Sequence, residues 1–207
     1  MNRFYKLFFL ITIIIVGCKG PDLSNKKFSQ VIDEFDMNIY STDGKKILTI
    51  KSPNSNYDRE NNIFNLEKTT IFLFKGKMKE YLITSNNGTL TNNKLVELNG
   101  NVSLNALLKE ENTLKANYFW WDVNKSEYLL KDNVIFKNKT ITLSSNKAIM
   151  NKSSNVIEFF KPVKYKMKAN NAKSGYEIKS KNAYYNIDNK SLIFSSKGER
   201  VRSKLYF

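Results

Sequence analysis

Residues 83–107 read ITSNNGTLTNNKLVELNGNVSLNAL, and the alternation within them decides the fold class. Ile83 is followed by the polar break Ser85-Asn86-Asn87-Gly88, then Leu90, the pair Val96 and Leu98, the segment Asn99-Gly100-Asn101, and finally Val102, Leu104 and Ala106. Apolar residues at every second position give an extended strand one face to bury. Asn-Gly readily supplies the positive φ angles of a tight turn, so Gly100 is expected to fold strand 95–98 back against 102–104. A lone hairpin is marginal in water. Its apolar face needs a cover.

The cover is expected to be further copies of the same unit. A small residue opens each one, at Ser52, Ser85, Ala116, Ser145 and Ser180, spaced 33, 31, 29 and 35 residues apart. A period near 30 is the mark of a stacked repeat. About 18 positions into each unit stands a β-branched residue, Ile71, Val102, Val134 and Val163, with the last unit stretched to Val201. Polar turn clusters fall between, among them 58–62, 124–127 and 186–190. Five units of two short strands predict ten or more strands stacked in one direction, an all-β fold. The plainer account, that any chain of short strands looks quasi-periodic, remains the competitor at this stage.

STDGKKILTIKSPNSNY (41–57), NIFNLEKTTIFLF (62–74) and the stretch at 83–107 together resemble the LptC family, from about Asp36 and more weakly to about Ser196. That family is the membrane-anchored periplasmic part of the lipopolysaccharide export machine, related to the bridge protein LptA and the N-terminal domain of LptD. The resemblance implies an OstA-like twisted β-jelly roll of short antiparallel strands in two facing sheets, with acyl chains held between them. It implies three partners: lipopolysaccharide, an inner-membrane ABC transporter of the LptB/LptF/LptG type and an LptA-like bridge. It also implies inward-facing positions at Phe35, Leu66 and Ala183. Alternation adds Phe72, Leu104, Phe136, Phe159 and Tyr185 to the expected lipid-binding groove.

The N-terminus carries an address. Basic Arg3 and Lys6 precede the apolar run 7–16, and Ile15-Val16-Gly17-Cys18 has the form of a bacterial lipobox. The run is about half the length of about 20 residues needed to cross a bilayer, so a cleaved signal peptide over 1–17 is expected. Cys18 is the only cysteine, excludes any internal disulfide and is the expected lipid attachment site. Residues 18–35 then read as anchor and tether, and 36–207 as the jelly-roll domain. Phe28, Val31, Ile32 and Phe35 have helical spacing, while Phe35, Met37 and Ile39 alternate as a strand would; both readings stand here. The expected location is the periplasm, held to the inner membrane by lipid, or alternatively the outer membrane as a lipoprotein.

Composition narrows the chemistry. The net charge of +15, two units of it from Arg3 and Lys6, favours anionic partners, although abundant Lys, Asn and Ile also follow from an AT-rich coding sequence. The chain has no His, hence no imidazole base or His-containing metal site, and shows no nucleophile elbow or phosphate-binding loop. Neither an enzyme nor a cofactor is expected, and export makes nucleic acid a poor partner. Segments such as Ile71-Phe72-Leu73-Phe74 and Val134-Ile135-Phe136 are apolar on both faces, which asks for a second cover beyond the facing sheet. Gly44 and Gly100 are the expected turn glycines, and Gly100→Val is expected to destabilise more than Gly88→Val. The C-terminal segment 184–207 either presents an edge for a partner strand or folds back to close that edge. Two rivals to the relay function are an LptA-like bridge and a structural envelope lipoprotein with a filled interior.

Overall fold

Alternation carries through almost every segment that the computed structural model describes, residues 29–108, 112–168, 175–196, 198 and 200–206. Those residues form strands and no helix. In chain order they are β1 (Ser29–Tyr40), β2 (Lys46–Asp58), β3 (Ile63–Glu67), β4 (Thr70–Lys75), β5 (Met78–Thr84), β6 (Asn87–Thr91) and β7 (Leu95–Ala106). Then follow β8 (Thr113–Asp122), β9 (Glu127–Lys137), β10 (Ile141–Asn151), β11 (Val156–Lys168), β12 (Gly175–Asn186), β13 (Leu192–Ser195) and β14 (Arg202–Tyr206). The stretch with two possible readings, 28–35, is strand from Ser29 on, because Val31, Ile32 and their neighbours pair with the far half of β2. The sheet therefore begins ahead of the expected boundary at 36.

All the pairings are antiparallel, and the long strands bend in the middle. One half of β2 pairs β4 while the other pairs β3; β7 divides in the same way between β5 and β6, and β12 between β14 and β13. The pairs β3/β4 and β5/β6 are thus single bent strands interrupted at the bend. Register breaks mark the bends of the remaining strands, between Asn99 and Val102, Lys115 and Tyr118, Ser145 and Lys147, and Phe160 and Val163. The bends divide the sheet into a β3 arm and a β4 arm that fold toward each other, the two facing sheets of a jelly roll.

The repeat seen in the sequence is this line of bends. The hydroxyls of Ser52, Ser85, Ser145 and Ser180 each donate to the carbonyl two residues on, at Asn54, Asn87, Lys147 and Asn182. Ala116 occupies the same place in β8. Backbone with positive φ recurs on the facing strands at Glu34, Lys68, Gly100 with Asn101, and Asp132 with Asn133. Gly100 corrects the hairpin reading: β7 runs straight through it as one strand, and Asn99-Gly100-Asn101 forms a bulge against β8. The same positive φ angles serve a hairpin or a bulge, and here the partner β8 continues past the bend, so the chain kinks instead of reversing. Gly44 lies in the tight turn between β1 and β2, at φ +75°.

The core lies between the arms. Leu48, Ile50, Ile71, Leu73 and Ile83 point in from the β4 arm and are fully buried; Leu90, Leu98, Phe119 and Leu130 answer from the β3 arm. Rings meet across the gap. Phe136 of the β4 arm lies 4.7 Å from Tyr185 and 6.2 Å from Phe159, and Tyr165 lies 5.4 Å from Phe194.

On β4 and β11 the second cover for strands apolar on both faces is lysine. On the outer face Lys79 Nζ lies 4.0 Å from the Phe72 ring centre, Lys46 lies 5.3 Å from Phe74 and Lys147 lies 5.0 Å from Phe160. Such cation–π contacts contribute about 0.5–1 kcal/mol at exposed sites, while the lysine stems shield the ring from water. Trp120 and Trp121 divide in the same way: Trp121 is buried, with its indole N–H donating to the Lys125 carbonyl at 2.9 Å, and Trp120 faces out with Lys125 Nζ 5.8 Å from its ring.

Candidate functional site

On the side away from the bends the two arms end in turns, and a cavity of about 210 Å³ opens there. Its deep wall comes from both arms: Tyr81, Leu104, Leu114 and Phe136 from one, Met150 and Ile157 from the other. Leu104 and Leu114 reach it because they are directly paired, inward-facing residues of β7 and β8. Lys75, Met78, Glu80, Leu108 and Asn112 form the rim, at the β4–β5 turn and in the connection after β7. The cavity is smaller than the about 300–1,000 Å³ of pockets that enclose drug-sized ligands, so it fits a single slender apolar segment.

Glu80 owes its place to a register slip. Leu73 pairs Tyr81 and Phe74 pairs Lys79, which leaves Glu80 as the extra residue of a bulge and puts a carboxylate beside the inward Tyr81. Burial, together with the charges of Glu80 and Asp188, pushes the Tyr81 hydroxyl up to about 12. Tyr128, in the opposite arm, is also raised, by burial first and then by Tyr81 and Glu80. Both phenols are therefore neutral at physiological pH. Glu80 Oε1 has Lys75 Nζ at 4.0 Å. Its Oε2, Asn112 Oδ1 and the Tyr128 hydroxyl are buried without a hydrogen-bond partner among the described residues.

Of the eight expected groove residues, seven face inward and are at least nine-tenths buried: Phe35, Leu66, Leu104, Phe136, Phe159, Ala183 and Tyr185. Phe136, Phe159 and Tyr185 form one ring cluster, with Ala183 paired directly to Phe159. Leu104 and Phe136 line the cavity, and Phe35 and Leu66 lie far along the stack toward β1 and β3. Phe72 requires correction. Ile71 and Leu73 take the inward positions of β4, so by the two-residue period Phe72 falls on the outer face, under Lys79. Glu80, Tyr81, Asn112, Met150 and Ile157 were not anticipated; the one local signal is a carboxylate within the apolar alternation of β5. Cys18 lies outside the described residues. No group of three or more potential metal ligands occurs among the described residues.

A row of cations lies on one surface. On the outer face of the β4 arm, from β8 onward, stand Lys115, Lys137, Lys164, Lys166, Lys179 and Arg202. Glu177 lies among them, 3.8 Å from Lys166 and 3.4 Å from Lys179.

The family model described as "Lipopolysaccharide-assembly, LptC-related" matches residues 17–128, from before β1 into β9. The chain belongs to the LptC-related family. No curated protein matches it. The match spans the N-terminal bends, the β4–β5 bulge and one wall of the cavity, and the bent antiparallel sheet continues beyond it through β14. With the LptC family come a part in lipopolysaccharide transport, a place in the cell envelope and partners in the transport machinery; the family is one of transport and binding proteins.

Proposed function

We propose that the protein binds lipopolysaccharide by an acyl chain inserted between the arms. In this reading it accepts the lipid from an inner-membrane ABC transporter of the LptB/LptF/LptG type and passes it to an LptA-like periplasmic bridge. The observation that supports this most is the apolar cavity at the mouth, walled by both arms and open where a chain can enter. Transfer runs between similar grooves, and the energy for direction comes from the transporter. Residues 18–28 are the tether, Cys18 carries the lipid, and the inner membrane is the place of attachment. Both ends of the sheet suit docking by strand addition: among the described residues β1 pairs only with β2, and β13 and β14 only with β12. The tail thus supplies the last strand of each arm and is itself the edge offered to a partner.

Photo-crosslinkers at Leu104 and at its neighbour Ser103 test the groove. Leu104 faces the cavity and is expected to capture lipid; Ser103, on the opposite face, is not. Equal capture at both, or none at either, overturns the reading. A filled structural interior is the rival, supported by the close packing of Phe159, Ala183 and Tyr185, and it predicts no capture.

A further inference from the structure

We infer that the mouth of the groove reads a hydrogen-bond donor on the lipid, close to where the chain leaves the cavity: a hydroxyl on the acyl chain or the N–H of an amide linkage. The inference rests on the groove reading above and adds which chains the groove selects. It stands on two buried polar atoms without a hydrogen-bond partner among the described residues, Glu80 Oε2 and Asn112 Oδ1. Glu80 and Asn112 both line the cavity rim. Backbone bonds hold them on either side of the same two residues: the Leu107 N–H donates to the Glu80 carbonyl at 2.9 Å, and the Ala106 N–H to the Asn112 carbonyl at 3.0 Å.

A buried acceptor that has lost water and gained nothing is unfavourable, and natural folds keep few of them. Two on one rim, Glu80 Oε2 and Asn112 Oδ1, point to an absent partner. An ionised carboxylate only accepts, so what satisfies Glu80 Oε2 must donate. A chain joined through an ester has no donor at its linkage, while a hydroxylated or amide-linked chain does. Lys75 engages the other carboxylate oxygen from the rim, which leaves Oε2 turned away from the cation.

Binding of two tritiated probes to the full chain in detergent tests the idea: methyl 3-hydroxytetradecanoate and methyl tetradecanoate, which differ by one hydroxyl. The hydroxylated ester is expected to bind about tenfold more tightly, the worth of one hydrogen bond to a charged acceptor. Glu80→Leu should abolish the preference between the two probes. Asn112→Ala, which removes the other acceptor of the rim, should reduce the preference and guards against a folding artefact at Glu80. Equal affinity of the wild type for the two probes, or a preference that survives Glu80→Leu, overturns the inference and leaves the groove reading standing. Failure of both esters to bind removes the groove reading and the inference with it.

Discussion

Gly88 and Gly100 exchange the roles expected of them. Gly100 has φ +74°, and a Cβ there would meet Asn86 Nδ2 at 3.1 Å, so the substitution is strained but the neighbour is a surface amide that can yield. Gly88 faces inward on β6, where a Cβ would lie 2.6 Å from Thr69 Oγ1 and 3.0 Å from Leu98 Cδ2. Thr69 is β-branched and stiff at χ1, and Leu98 is core, so neither moves away cheaply. Gly88→Ala is expected to cost about 1–3 kcal/mol as overpacking, against about 1 kcal/mol for Gly100→Ala from its backbone alone. Urea titrations of both variants give the order, and a larger loss at Gly100 would refute it. The sequence shows an Asn-Gly pair plainly. It does not show that Gly88 sits beneath another strand, since that contact joins residues brought together only by the fold.

At the scale of the strand, the bend is the unit of construction, and its serines are expected to hold it. Ser52 does the most: besides donating to the Asn54 carbonyl it bonds the Glu67 carbonyl at 2.7 Å and accepts from the Glu67 N–H at 3.1 Å, tying β2 to β3. Each net hydrogen bond contributes about 0.5–1.5 kcal/mol. Ser52→Ala should therefore destabilise more than Ser145→Ala, which loses one bond to the Lys147 carbonyl. Ala116→Ser, adding the hydroxyl that β8 lacks, is expected to be neutral or stabilising. Thermal unfolding of the three variants checks the series, and a large loss at Ala116→Ser would show that the bend hydroxyls are incidental. The period of these bends was legible because Ser52, Ser85, Ala116, Ser145 and Ser180 recur at near-constant spacing. Their meaning was not: at Asn99-Gly100-Asn101 a kink and a reversal use the same residues, and only the strand on the other side decides between them. Phe72 was misassigned for a similar reason, since in Ile71-Phe72-Leu73-Phe74 both parities are apolar and the outer rings are covered by lysines from neighbouring strands.

Across the whole molecule, the interior was readable from alternation and the cavity was not, because a slip at Glu80 and the approach of β10 and β11 from the other arm create it. The buried phenol of Tyr81 in its wall makes a testable pH dependence. The Tyr81 hydroxyl is raised from its ordinary 10 to about 12, so the folded state favours the protonated phenol. Its contribution to stability is complete below pH 10 and is lost as pH rises toward 12 and beyond; Tyr128 acts with the same sign. The unfolding midpoint should fall between pH 10 and 12, and the fall should be shallower in Tyr81→Phe. An unchanged slope in that variant would assign the alkaline loss to other groups.

A sheet in which each bent strand, with β3/β4 and β5/β6 each counted as one, is hydrogen-bonded only to the bent strand before it and the one after it behaves as a one-dimensional array. Its ladders join only adjacent rungs of the stack, which allows assembly to begin at any point along it, including growth behind a chain that emerges one end first. Loosening must proceed from the termini inward, because only the outermost rungs can leave without breaking two ladders. Amide exchange should therefore be fastest in β1, β13 and β14 and slowest around β7 to β10. The rungs offered to other proteins are the ones held least by this one. A partner strand laid on either end would slow exchange there first and farther along the array only by degrees.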